Sequence, residues 1–171
     1  MIVEVDSLGS GRYLEALAVL RAAFETVREQ FGITRENNPH YPVYWGVGDV
    51  ARAVSRPARL LGVELDSVLV GCAFVGPSTR REGCWELRHL AVVPEARHLG
   101  IGEALIRAAT EGAVSDGAEV LRIGIVAENL PLAQWYRRLG FRTVSQGESY
   151  PPLPFTVDHL ELPLRLSDKS I

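Results

Sequence analysis

Arg97-x-x-Gly100-x-Gly102 is the stretch whose residue types and spacing could hold an anion. It follows a strand-like run closed by Pro94 and opens a helix-like run that reaches Ser115. The first N–H groups of a helix have no intrahelical partner, and the helix dipole adds partial positive charge there. Glycines at 100 and 102 remove the Cβ atoms that would keep a phosphate away, and Arg97 adds a planar, permanently charged fork. The chemistry that suits this set is pyrophosphate binding. On the residues alone, two glycines at a helix start serve equally well to pack a helix on a sheet. No lysine follows as in a P-loop, and Leu105 stands where a dinucleotide-binding fingerprint needs its third glycine.

The elements that must position this stretch can be read from hydrophobic period. Ile2 to Val5 suits a short first strand. Leu14, Leu17, Leu20, Phe24, Val27 and Phe31 recur at spacings of three and four, which predicts an amphipathic helix ended by Gly32. Residues 33–57 carry Asn37-Asn38-Pro39, Tyr41-Pro42 and Arg56-Pro57 and read as loop with a short helix over Asp49–Ser55. Leu60–Leu65, Val68–Val75 and Cys84–Val93 are strand-like, separated by turn residues. Val120–Val126 reads as a strand covered on both faces. A helix from Asn129 to Leu139, with Asn129 as its cap, and strands over Phe141–Ser145 and Phe155–Leu164 complete the order. The reading is one mixed α/β (α+β) domain over residues 1–171. Residues 84–126 supply a parallel strand pair with a right-handed crossover.

Composition narrows the partners. The 171 residues are 47% apolar and carry a net charge of -3, so a basic nucleic-acid-binding surface is not expected. The longest apolar stretch, Ser67–Gly76, is half of the roughly 20 residues a membrane span needs. The start carries Glu4 and Asp6 and no basic region, so it reads as a cytoplasmic chain without a secretory signal. Cys72 and Cys84 are too few for a metal cage; they read as reduced, buried thiols facing one another across a hairpin. No metal is expected. The basic side chains are arginines apart from Lys169.

Leu90-Ala91-Val92-x-Pro94-x-x-Arg97-x-x-Gly100-x-Gly102 resembles the acetyl-CoA motif of the GNAT superfamily of acyl-CoA-dependent N-acyltransferases. A second signature of that family, Asn129-x-x-x-Ala133-x-x-Tyr136-x-x-x-Gly140-Phe141, follows downstream of an apolar strand. His98 and Leu99 depart from the family's commoner glycine and basic residue. The resemblance implies a central, mostly antiparallel sheet of about seven strands with about four helices and a splayed parallel pair at the donor site. It implies that Arg97 and the amides of His98, Leu99, Gly100, Ile101 and Gly102 hold the CoA pyrophosphate. Leu90, Ala91 and Val92 would line the pantetheine arm, with the Val92 N–H on the thioester carbonyl, and Asn129 would help position that arm. Tyr136 would be the general acid at the sulfur.

The same resemblance makes Glu86 the candidate base, with an ion pair to Arg88 as the competing role and His89 as a second candidate. Strand alternation puts Glu86 and Arg88 on one face and Leu87 and His89 on the other until a bulge intervenes. The acceptor pocket of the family is built after the first helix and by the last strands, which here points to Tyr44 and Trp45, beside His40 and Tyr41, and to the stretch Tyr150 to Phe155, with covering of the core as the competing role of these aromatics. The implied reaction is acetyl (acyl) transfer from acetyl-CoA to a primary amine of a small molecule or peptide, by direct attack. The alternative is a module of this fold that binds acyl-CoA without turnover. Dimerisation is common in this fold, so a homodimer is compatible with the resemblance. The slight acidic balance favours a cationic acceptor.

Overall fold

A computed structural model of the chain describes residues 3–55 and 58–164. Helix α1 (Tyr13–Phe31) forms on the expected apolar spacing and stops at Gly32, whose φ of 65° and ψ of 35° only glycine adopts freely. Its buried face is Ala16, Leu17, Val19, Leu20 and Ala23, while Leu14, expected on that face, is 70% exposed. A short helix α2 (Val47–Ala53) follows. Strands β2 (Arg59–Leu65), β3 (Val68–Pro77) and β4 (Cys84–Val92) form the antiparallel meander that the turn residues foretold. Helix α3 (Ile101–Ser115), strand β5 (Val120–Val126), helix α4 (Leu130–Arg138) and strands β6 (Arg142–Ser149) and β7 (Thr156–Pro163) complete the chain. The first strand, β1, lies at Asp6–Ser7 rather than Ile2–Val5, and pairs with Gly62 and Leu61. Residues 1 and 2, Arg56-Pro57 and Lys169 lie outside the described residues.

The seven strands make one sheet in the order β1-β2-β3-β4-β5-β7-β6. Every pair is antiparallel except β4–β5, so the crossover through α3 supplies the one parallel contact. Helices α1 and α2 cover one face over Leu60, Cys72, Phe74 and Ala91. Helices α3 and α4 cover the other over Leu61, Ala73, Trp85, Leu87, Leu121 and Ile123. This is the mixed α/β class expected from the sequence.

Two further expectations change. Strand β5 is covered on one face only: Leu121, Ile123 and Ile125 are buried, while Gly124 on the opposite face is exposed and Arg122 half-buried. The alternation was hidden because valines flank both sets. The cysteines do not face each other, since Cys72 stands opposite Ala91 and Cys84 beside Val120. No helix among the described residues is long and apolar enough to cross a membrane.

Candidate active site

Strands β4 and β5 run together only through Cys84, Trp85 and Glu86, which pair with Val120, Leu121 and Arg122. Beyond Glu86 they part. Strand β5 stays with β7 along its whole length, from Val120 to Val126, while β4 stays with β3. A bulge in β4 drives this separation. Phe74 stands opposite Arg88 and Cys72 opposite Ala91, so His89 and Leu90 share the single partner position of Ala73. His89 takes a left-handed φ of 51° to fit the extra residue. Such a bulge bends a strand and increases its twist. It also turns the His89 ring to the Arg88 face, against Phe24, Trp45 and Phe74, rather than to the Leu87 face that simple alternation gives.

The parting frees backbone groups. The Val93 N–H donates to the Val70 carbonyl at 2.9 Å. Alternation along an extended strand therefore aims the Val92 N–H the other way, at the open edge. Past Pro94 the chain makes one tight turn (Pro94–Ala96) and then takes left-handed conformations at His98 (φ 67°) and Gly100 (φ 79°) before α3 starts. The first helical amide to find a carbonyl is that of Ala104, on Gly100 at 3.0 Å. The amides of residues 98–102 donate to nothing among the described residues.

The two glycines of this loop do different work. Gly100 needs its left-handed φ and has open space around it, whereas a Cβ on Gly102 would stand 3.0 Å from the Trp135 ring. Gly102 is thus a packing glycine between α3 and α4, which is one of the two readings the sequence left open. Arg97 also departs from expectation. Its Nη2 donates to the Ala23 carbonyl and the Thr26 hydroxyl of α1, each at 3.1 Å. The guanidinium buttresses the loop from α1, and the donors left without a partner at the helix start are the amides of residues 98–102.

On the same face, Asn129 caps α4 by accepting the Leu132 N–H at 3.4 Å. Tyr136 is buried between the rings of Trp135 and Phe141, at centroid distances of 4.8 and 5.3 Å. Its hydroxyl makes no hydrogen bond among the described residues. Burial holds its pKa well above the ordinary phenol value, so it is a protonated donor.

On the opposite face a cavity of about 350 Å³ fills the wedge between β4 and β5. Glu86, Arg88, Arg122, Gly124, Tyr150 and His159 line it. Glu86 accepts the Ser78 hydroxyl at 2.8 Å on one oxygen and faces Arg88 Nε at 3.3 Å with the other. His159 stands opposite Gly124 across β5–β7, with Nε2 3.4 Å from a Glu148 oxygen and 3.3 Å from the Tyr150 hydroxyl. The reading of the sequence missed Arg122 and His159. The signal for the first was available: Arg122 and Gly124 alternate with Leu121, Ile123 and Ile125, so one face of this strand could not be core.

Neither Tyr44 nor Trp45 lines the cavity. Trp45 is core against Phe74 and His89, with its Nε1–H on the His40 carbonyl at 2.7 Å. Tyr44 donates to the Ile33 carbonyl at 3.4 Å and lies under Arg35. Trp45 thus belongs to the core that α1 shares with the sheet. His89 is enclosed by three rings, and this desolvation, helped by Arg88, pushes its pKa down to about 4. Burial pushes the Cys72 thiol up to about 12, and raises that of Cys84, so neither is an activated nucleophile.

Residues 20–141 match the Acetyltransferase (GNAT) family. The chain belongs to that family. An uncharacterised N-acetyltransferase of Methanocaldococcus jannaschii is 32% identical over 80 residues, a stretch that spans 47% of this chain and 35% of that protein. The ribosomal-protein-S18-alanine N-acetyltransferase of Escherichia coli superposes with a TM-score of 0.74 at 16% identity, covering 99% of both chains. The PaiA N-acetyltransferase of Thermoplasma acidophilum, solved with coenzyme A, gives 0.74 at 20% identity over 95% of this chain and 99% of that one. At such identities these two likenesses speak to the fold, and the sheet order, the parted parallel pair and the four helices are those of the GNAT fold.

Proposed function

We propose that this GNAT chain transfers an acyl group, acetyl in the first instance, from a CoA thioester to a primary amine by direct attack. The observation that carries the reading is the row of unpaired amides at residues 98–102, set beside the open edge of β4. A pyrophosphate matches that row in charge and in hydrogen-bonding sense. The solved coenzyme A complex of a fold neighbour supports the choice of ligand.

Acetyl-CoA supplies the activated acyl carbon and a thiolate leaving group. This chain's residues supply the rest. Leu90, Ala91 and Val92 offer the free strand edge along which an extended amide-bearing arm can lie. The Val92 N–H opposes negative charge growing on a carbonyl oxygen, the task of an oxyanion donor. Tyr136 holds a proton for the departing sulfur, and Asn129 fixes the start of the helix that carries it. Glu86, on the cavity face, takes the proton of the incoming amine; its oxygens retain lone pairs beyond those facing Ser78 and Arg88. His159, braced by Glu148, is the second base in reach of the same cavity.

Two measurements test this. Calorimetry should detect acetyl-CoA binding, and an amine panel should release thiol from it. Binding without thiol release from any amine would leave an acyl-CoA-binding module. A pH–rate profile separates the bases: Glu86→Gln should remove the ascending limb and lower kcat/KM by about tenfold or more, whereas the same loss in His159→Gln alone would transfer the role.

A further inference from the structure

The cavity is lined by Arg80, Arg81, Arg88 and Arg122 against a single carboxylate, Glu86. This concentration of positive charge runs against the net charge of -3 of the whole chain. The arginines are only partly neutralised by their surroundings. Glu161 serves two of them, pairing with Arg81 and reaching Arg122 Nη1 only at 3.5 Å. Arg88 shares Glu86 at 3.3 Å. The Arg80 side chain has no ion-pair partner among the described residues. Glu148 is held by Ser145 and Tyr150 and faces His159, and it acts on Arg122 only through space, with no ion pair to it.

Register sets the geometry of the charges. Glu86 and Arg122 are paired residues on β4 and β5, and Arg88 lies two residues beyond Glu86 on the same face, where the strands have parted. One carboxylate and two guanidiniums therefore share a wall of a space of about 350 Å³, which suits a small molecule. Arg88 is exposed and Arg122 half-buried, and neither is fully paired, so each guanidinium can grip a carboxylate or phosphate with two parallel hydrogen bonds.

We propose that the acceptor is an amine that itself carries an anion, a carboxylate or a phosphate, with the anion held by Arg88 and Arg122 and the amine turned to Glu86. This rests on the acyl-transfer reading for its choice of amine, and it reverses the cationic acceptor that the overall charge suggested.

The test compares amines that differ only in the anion: an α-amino acid, its amide and the amine without the carboxyl group, and an aminoalkyl phosphate with its alcohol. Each is assayed for thiol release from acetyl-CoA and, independently of turnover, titrated by calorimetry into the wild type and into Arg122→Gln, Arg122→Lys and Arg88→Gln, each checked for an unchanged melting temperature. The anionic members should exceed their neutral counterparts by about tenfold or more in kcat/KM, chiefly through KM. Arg122→Gln should erase that preference while the KM for acetyl-CoA stays put, and Arg122→Lys should recover part of it. The carboxylate and phosphate arms tell the two anion types apart. Equal use of neutral and anionic amines overturns the proposal, and so does a rise in the KM for acetyl-CoA alone, which would give the arginines to the donor. If no amine turns over, the calorimetric preference decides: anionic amines binding more tightly, and losing that advantage in Arg122→Gln, supports the proposal, and no preference overturns it. Failure of acetyl-CoA itself to bind strikes the acyl-transfer reading and is seen in a separate titration.

Discussion

On the α3 face of the parted strands the groups able to hold a ligand are amides, at residues 98–102 and at Val92. On the α1 face they are side chains, Glu86, Arg88 and Arg122 among them. Under the proposed acyl transfer the two surfaces answer different demands. A backbone surface depends on φ and ψ at a few positions and tolerates exchange of side chains, which suits a ligand part that never varies. A side-chain surface can be rewritten one residue at a time, which suits an acceptor that differs between relatives.

The contrast can be broken or sharpened by substitution. The largest expected effect lies where both surfaces meet the reaction: Tyr136→Phe should slow turnover at saturating acyl-CoA by about 10²-fold or more while leaving calorimetric affinity for CoA intact. Unchanged turnover removes Tyr136 from the chemistry. Next comes the enclosed ring behind the cavity face. The folded chain keeps His89 neutral, so between pH 6.5 and about 4 the unfolded chain binds a proton that the folded one refuses. Stability should therefore fall as pH drops through that window, by up to about 3 kcal/mol. Urea midpoints at pH 7 and pH 4.5 should show a smaller fall for His89→Asn, which tolerates the left-handed backbone. An equal fall in both would deny His89 this part.

On the amide surface, Gly100→Val forces a β-branched residue to φ 79° and should weaken CoA binding by about tenfold. Arg97→Ala should do far less to that binding, within about threefold, and should cost about 1 kcal/mol of stability through its lost bonds to Ala23 and Thr26. If the order is reversed, with Arg97→Ala the more damaging to affinity, the amide surface is not what grips the ligand.

These differences also explain what could be read from the sequence. The loop after Pro94 was legible because left-handed backbone and a helix start leave a residue signature, and Gly32, Gly100 and Asn129 sit where such signatures put them. The sheet followed from runs of Val, Leu and Phe between turn residues. Strand β6 runs on to Ser149, beyond the expected Ser145, because it is an edge strand rich in polar residues and lacks an apolar run to mark its end. Of the cavity, Glu86 and the Tyr150 stretch were legible and the rest was not. The cavity exists because residues from β4, β5, β7 and two loops converge, and Arg122, Tyr150 and His159 are distant in the chain. Tyr44 and Trp45 misled for the converse reason: an aromatic cluster after a first helix looks the same whether it walls a pocket or seals a core. Arg97 was assigned by its charge, but its reach across to α1 is a tertiary fact.

The contact between Gly102 and Trp135 has a practical side. The indole stands against the amide loop at one end and is the chain neighbour of Tyr136, whose ring lies 4.8 Å away. Trp45 and Trp85 are sealed in the core, so Trp135 is the tryptophan whose surroundings change when that loop is filled. Under the proposed function its emission should shift when acetyl-CoA is added, a gauge of occupancy readable without label or turnover.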